Sequence, residues 1–147
     1  MPTIRQATPS DHEAMLRLWL DASRVGHGFL GEDMLAAQRD KVRDVYFHLA
    51  DHWVASGDTI AGFIALIDRQ IGGLFVDPAA HRCGIGRQLV EHAAARLGEL
   101  SVDVYERNEG ARAFYESCGF VVTGRREEDE DGRDFALLRL LRPASAG

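Results

Sequence analysis

His81-Arg82-Cys83-Gly84-Ile85-Gly86-Arg87 is followed, one strand's length later, by Asn108-Glu-Gly-Ala111-Arg-Ala-Phe114-Tyr115-Glu-Ser-Cys118-Gly119-Phe120. The first segment stands between an apolar run ending in Leu74-Phe75-Val76-Asp77-Pro78 and the stretch Ile85–Leu97. Proline cannot continue a strand ladder, so Asp77-Pro78 closes a strand. Leu89, Val90, Ala93, Ala94 and Leu97 recur at helical spacing, and Gly98 stops the helix. Glycines let backbone approach a ligand, and the first amides of a helix are unpaired donors at the positive end of its dipole. The turn therefore suits an anion, with Arg82 and Arg87 adding charge-assisted contacts. Taken alone, it equally fits a plain strand-to-helix connection whose glycines serve packing.

In the second segment Asn108 is placed to cap a helix, with Ala111, Phe114, Tyr115 and Cys118 on one face and Gly119 as its end. Position alone makes Phe114 and Tyr115 fillers of a helix–sheet interface, with Phe114 directed into the core. A strand over Ser101–Tyr105 separates the two segments.

Further out, Thr3–Ala7 reads as a first strand. Ser10 with Glu13 three positions on is a capping-box signal, opening a helix through about Ser23. Met15, Leu16, Leu18, Trp19 and Ala22 form its apolar stripe. A loop with Gly26, Gly28 and Gly31 carries His27 and Phe29, and a second helix spans about Glu32–His48. His52–Ser56 and Thr59–Ile67 flank Gly57-Asp58 as a hairpin. Gln70–Val76 is the next strand, and Gly72-Gly73 inside it suggests a bulge or a close backbone approach. Phe120–Thr123 and Phe135–Leu141 are strands around the acidic loop Glu127–Asp131. This order predicts an α/β (α+β) architecture: one domain over residues 1–142, a mixed sheet with helices packed on it, and a loose tail at 143–147.

Composition narrows the function classes. The 147 residues make one domain with a real core, and 46% apolar with 27% charged residues is ordinary for a soluble protein. No apolar run approaches the roughly 20 residues that span a bilayer, and Met1-Pro2-Thr3-Ile4-Arg5 lacks the order of a signal peptide. A cytoplasmic address is expected. A net charge of −6 argues against general nucleic-acid binding and leaves room for a cationic partner. Cys83 and Cys118 have no metal-ligand spacing and read as a loop thiol and a core thiol. His48 and His52 have helix-like i, i+4 spacing, but a strand begins near His52 and no third ligand follows, so no metal is implied. A dinucleotide-binding unit is excluded by arrangement, since the glycine turn lies deep in the chain rather than after a first strand.

The two opening segments together resemble the signature motifs of the GNAT acyltransferase superfamily, written Q/R-x-x-G-x-G/A and N-x-x-A-x-x-F-Y-x-x-x-G-F. The similarity covers nearly the whole chain, including the order of elements, and is nearest to a small bacterial branch. One position departs: the Gln or Arg that usually heads the first motif is His81.

The resemblance implies direct transfer of an acetyl group from acetyl-CoA, as co-substrate, to an amine. Arg82, Cys83, Gly84, Ile85, Gly86 and Arg87 would cradle the pyrophosphate. Leu74, Phe75 and Val76 would run beside the pantetheine arm, with the Phe75 or Val76 amide polarising the thioester carbonyl. Asn108 would touch pantetheine while capping its helix. Tyr115 would donate to the departing thiolate as well as lining the cofactor site. The acceptor must lose a proton, and three alternatives stand for its base: His27 in the glycine-flanked loop, Glu106 after the strand before Asn108, or water. The acidic loop is either a solvated tip or a guide for a cationic acceptor. A small amine, a protein lysine or an N-terminus would serve as acceptor. A non-catalytic acyl-CoA sensor is the alternative, and edge strands of such sheets often pair into homodimers.

Overall fold

The computed structural model describes residues 2–26, 28–80, 84–129 and 132–144. Seven strands form one sheet in the order β1-β2-β3-β4-β5-β7-β6. They are β1 (Thr3–Gln6), β2 (Asp51–Ser56), β3 (Ile60–Ile67), β4 (Gln70–Val76), β5 (Leu100–Tyr105), β6 (Val121–Arg126) and β7 (Leu137–Arg142). All neighbouring pairs are antiparallel except β4 and β5. Helices α1 (His12–Gly26) and α2 (Glu32–Lys41) precede β2, α4 (Ile85–Leu97) joins β4 to β5, and α5 (Glu109–Ser117) joins β5 to β6. No described helix is long and apolar enough to cross a membrane.

Both faces of the sheet are covered at its centre, which is why β3 reads as an almost unbroken apolar run. Along β3 and β4 alternate residues face opposite ways. Phe63 and Phe75 lie directly opposite one another and pack with Met15, Leu18 and Trp19 of α1. Ile64, Leu74 and Val76 face the other side, where Leu89, Val90 and Ala93 of α4 and Tyr115 of α5 complete the larger core. Leu89 is fully buried, and its replacement by Ala would cost about 3 kcal/mol.

Three local expectations are corrected. The capping box lies at Thr8–Asp11, opening a 3-10 turn over Pro9–Asp11 that leads into α1, and not at Ser10–Glu13: Asp11 Oδ2 accepts the Thr8 amide at 2.8 Å. Arg5 in β1 clamps both oxygens of the same carboxylate at 2.8 and 3.0 Å, a tertiary contact that decides between the overlapping frames. The second helix does not run regularly to His48; after Lys41 it widens into a π-turn over Val42–Tyr46 and ends in one turn, α3 (Phe47–Leu49). β1 ends at Gln6, one residue short of the expected strand, although the Ala7 amide still bonds the His52 carbonyl at 2.9 Å in the same register.

β4 and β5 part company along their length. They pair only at Gln70–Ser101 and Ile71–Val102. Beyond that, β4 follows β3 to Val76–Gly62, and β5 follows β7 to Tyr105–Leu137. The split begins where β4 carries an extra residue: Ala65 faces Gly73 and Leu66 faces Ile71, leaving Gly72 unpaired. A bulge bends its strand and increases the local twist, which turns the end of β4 away from β5.

Candidate active site at the strand split

A split inside a sheet exposes backbone donors and acceptors that a neighbouring strand would otherwise satisfy. The Asp77 amide bonds the Ala61 carbonyl at 2.8 Å, so Asp77, Phe75 and Gly73 point their backbone groups at β3. By alternation, Leu74 and Val76 present theirs to the split. Of the two amides expected to polarise a carbonyl, Val76 faces the opening and Phe75 faces β3. The Phe75 ring lies on the α1 side, 6.3 Å from Trp19 and 5.3 Å from Phe63 between centroids. A Cβ on Gly73 would collide with that ring, so the bulge glycines also make room for it.

At the α4 end, Gly84 is exposed and left-handed, with φ of 78°, and no side chain among the described residues caps the helix. A non-glycine residue is strained in this conformation. Among the described residues the first α4 bond runs from the Gln88 amide to the Gly84 carbonyl at 3.0 Å, and the Ile85, Gly86 and Arg87 amides before it form an N-terminus of the kind that suits an anion. Gly86 is pressed between α5 and β4: a Cβ there would lie 3.1 Å from Cζ of Phe114 and 3.6 Å from Cγ2 of Val76. The Arg87 side chain is turned elsewhere, donating to the carbonyl and hydroxyl of Ser117 at 3.1 and 3.2 Å. The guanidinium thereby ties α4 to the end of α5. His81, Arg82 and Cys83 lie outside the described residues.

Asn108 caps α5 through its oxygen, which accepts the Ala111 amide at 3.0 Å, and its amide nitrogen remains for a ligand. Phe114 packs against the core as expected, but Tyr115 is the deeper of the two rings. Phe114 is the half-buried ring, packed on Gly86, while Tyr115 is only 5% exposed. Tyr115 sits between Phe114 and Phe120, each 5.2 Å away between centroids. Burial drives its phenol pKa up, with a smaller contribution from Cys118. No hydrogen bond to its hydroxyl is made among the described residues. Cys118 is buried beside it.

Glu106, one of the three candidates for the base, is clamped by Arg125 at 2.7 and 3.2 Å. That pairing lowers its carboxyl pKa and so weakens it as a base. His27 lies outside the described residues, as do Glu130, Asp131 and the last three residues of the tail. The acidic loop is not a simple solvated tip. Asp129 is 3% exposed, and its carboxylate accepts the Tyr105 hydroxyl at 3.1 Å and the Arg133 amide at 2.9 Å. Gln38 of α2 reaches the same Tyr105 hydroxyl, and burial with Asp129 pushes that phenol up to about 12.

Sequence reasoning missed the cluster around Tyr105. Phe29, Tyr105 and Phe135 come from the α1–α2 connection, the end of β5 and the entrance to β7, with centroids 5.3–6.3 Å apart. Aromatic residues in loop positions were its only sequence signal.

The acetyltransferase (GNAT) domain family matches residues 48–122. Peptidyl-lysine N-acetyltransferase YjaB of Escherichia coli (strain K12) is 37% identical over 140 residues, covering 94% of this chain and 95% of YjaB. The solution structure of apo YjaB from Escherichia coli superposes with a TM-score of 0.89 at 35% identity, covering 99% of each chain. A PaiA N-acetyltransferase from Thermoplasma acidophilum, solved in complex with coenzyme A, shares the fold at a TM-score of 0.77 and 17% identity, covering 97% of this chain and 99% of that one. With its split sheet, uncapped glycine turn and buried α5 tyrosine, this chain belongs to the GNAT family of N-acetyltransferases.

Proposed function

We propose that this enzyme transfers the acetyl group of acetyl-CoA to the ε-amine of lysine in a peptide or protein. The observation that carries the reading is the split itself: an amide row on β4 faces it, and a buried, unpartnered phenol stands on α5 behind that strand. The relative named for acetylating peptidyl lysine covers nearly the whole chain, which favours lysine over a small free amine.

The amides of Ile85, Gly86 and Arg87 would bind the pyrophosphate, and the Leu74 and Val76 backbone would pair with the pantetheine arm as an added strand. Asn108 would hold that arm from the other side. As the lysine nitrogen attacks the thioester carbon, a C–N bond forms and the C–S bond breaks. The Val76 amide would stabilise the charge developing on the carbonyl oxygen. Tyr115 would give its hydroxyl proton, or a hydrogen bond, to the leaving sulfur. With Glu106 tied to Arg125, the ammonium proton would leave through water to solvent. A cytoplasmic site of action fits a charged thioester donor that does not cross a bilayer unaided.

Calorimetric titration with acetyl-CoA, paired with mass spectrometry of a lysine peptide, tests this reading. Wild type should bind and acetylate, Gly84→Glu should do neither, and Tyr115→Phe should bind with little turnover. Binding without acetylation of any amine would point instead to a non-catalytic sensor. Absence of binding would overturn the site.

A further inference from the structure

The ring cluster of Phe29, Tyr105 and Phe135 already holds a cation. The Arg107 guanidinium lies 5.2 Å from the Phe135 centroid and 5.9 Å from that of Phe29. Arg107 is exposed, and among the described residues it makes neither an ion pair nor a hydrogen bond. Surface arginines in this chain are otherwise commonly matched to carboxylates, as Arg125 is to Glu106 and Arg139 to Asp103. Arg107 is instead held by the faces of two aromatic rings. Beneath them, Tyr105 rests on the buried carboxylate of Asp129. Asp129 is itself paired with Arg133 at 3.8 Å, so the ring faces rather than a net negative charge hold the cation, and they do so without binding any one cation strongly.

The position of this seat matters. Tyr105 is the last residue of β5, at the end where β4 and β5 have separated. Its side chain reaches Gln38 on the α1–α2 face of the sheet, whereas Tyr115 lies on the α4–α5 face. An acceptor approaching the split from the α1–α2 face would pass the seat. The nitrogen that attacks must be uncharged, and the seat favours the charged form, so the reacting amine does not belong there.

We propose that the Phe29–Tyr105–Phe135 cluster binds a second positive charge of the acceptor, an arginine or lysine flanking the target lysine, and that Arg107 occupies the seat as a stand-in until the acceptor displaces it. The inference rests on the lysine reading above and extends it to the acceptor's sequence. It makes the enzyme selective for lysines in basic surroundings.

The test compares two sets of lysine peptides, one with arginine placed one to three residues from the lysine and one with alanine there. Binding is read by calorimetry without acetyl-CoA, and KM and kcat are read with it. Arg107→Ala should tighten binding and lower KM for the arginine peptides by roughly two- to fivefold, the range of an exposed cation–π contact. Phe135→Leu should weaken both by a similar factor. Alanine peptides should change in neither variant, and kcat should hold throughout. Phe29→Leu serves as the second ring variant should Phe135→Leu fold poorly, and exposed Arg107 carries little folding risk. Equal shifts for both peptide sets, or no response to Arg107→Ala, would overturn the seat. Differential binding with no acetylation of any peptide would uphold the seat and refute the lysine-transferase reading, so the two failures are distinct.

Discussion

Gly86 of the glycine turn and Phe114 of the α5 motif touch: a Cβ on Gly86 would lie 3.1 Å from Cζ and 3.2 Å from Cε1 of the Phe114 ring. The motif that would hold the pyrophosphate and the motif that would protonate the sulfur are thus packed on one another, with Val76 beside the contact. Phe114 is half-buried and has room to give by a few tenths of an ångström. Gly86→Ala also relieves the helix of a glycine, worth about 0.5–1 kcal/mol. Stability should therefore stay within about 1 kcal/mol of wild type, while the shift of Phe114 carries Tyr115 with it and lowers kcat severalfold. Gly86→Val leaves no such room and should destabilise by about 1–3 kcal/mol. Thermal unfolding beside steady-state kinetics separates the two effects, and loss of stability with kcat intact in Gly86→Ala would refute the coupling.

Tyr115→Phe removes a hydroxyl that bonds nothing in the described protein, so stability should change by less than about 0.5 kcal/mol. The kcat should fall on the order of 100-fold, with the dissociation constant for acetyl-CoA nearly unchanged. The sign of the pH dependence follows from burial, which raises the phenol pKa and keeps the donor protonated through the alkaline range. Activity should climb as the acceptor amine deprotonates and should show no falling limb up to about pH 10. A descending limb between pH 8 and 10 in wild type that vanishes in Tyr115→Phe would contradict a raised pKa.

Much of the frame was legible because punctuation residues marked it. Asp77-Pro78 ends β4 and Gly98 ends α4 where the sequence places them, and the Gly72-Gly73 pair signals the bulge that the sheet contains. The capping box before α1 was not legible, since Thr8–Asp11 and Ser10–Glu13 are overlapping frames of one motif and Arg5 chooses between them from another strand. Nor does any local pattern report that β4 and β5 separate after two paired positions, because that follows from how a bulge in one strand meets the twist of the whole sheet. The Tyr105 cluster was hidden for a similar reason: its members are distant in sequence, and Asp129 is one acid in a run that looks solvated. Side-chain depth was not legible in α5, where helical spacing put four residues on one face without saying which ring would be deeper.

Asp11 links β1 to the start of α1, bound by both nitrogens of the Arg5 fork and by the Thr8 amide and hydroxyl. The Arg5 hydrogen bonds are the main reason its carboxyl titrates far below the ordinary range. A depressed folded-state pKa stabilises the protein above the unfolded-state value and is lost as pH falls toward the folded one. Wild-type stability should thus decline below about pH 4, and Asp11→Asn should be about 2 kcal/mol less stable at pH 7, with the difference shrinking in acid. Chemical denaturation at pH 7, 4 and 3 measures this, and a difference that stayed constant with pH would show that the loss was one of shape rather than charge.

Arg87 separates a structural tie from a phosphate contact. Its guanidinium donates to the carbonyl and hydroxyl of Ser117, at the end of α5, where a cation also complements the helix dipole. Arg87→Ala should cost about 1 kcal/mol of stability through that lost tie. Its backbone amide stays in the first turn of α4, so acetyl-CoA affinity should weaken less than about threefold, the effect of losing one charge at a distance in screening solvent. Arg87→Lys keeps the charge without the fork, and should match Ala in stability and wild type in affinity. Calorimetry at two salt concentrations decides the matter. A tenfold loss of affinity in Arg87→Ala that Lys restores would mean that the guanidinium leaves Ser117 when the ligand binds.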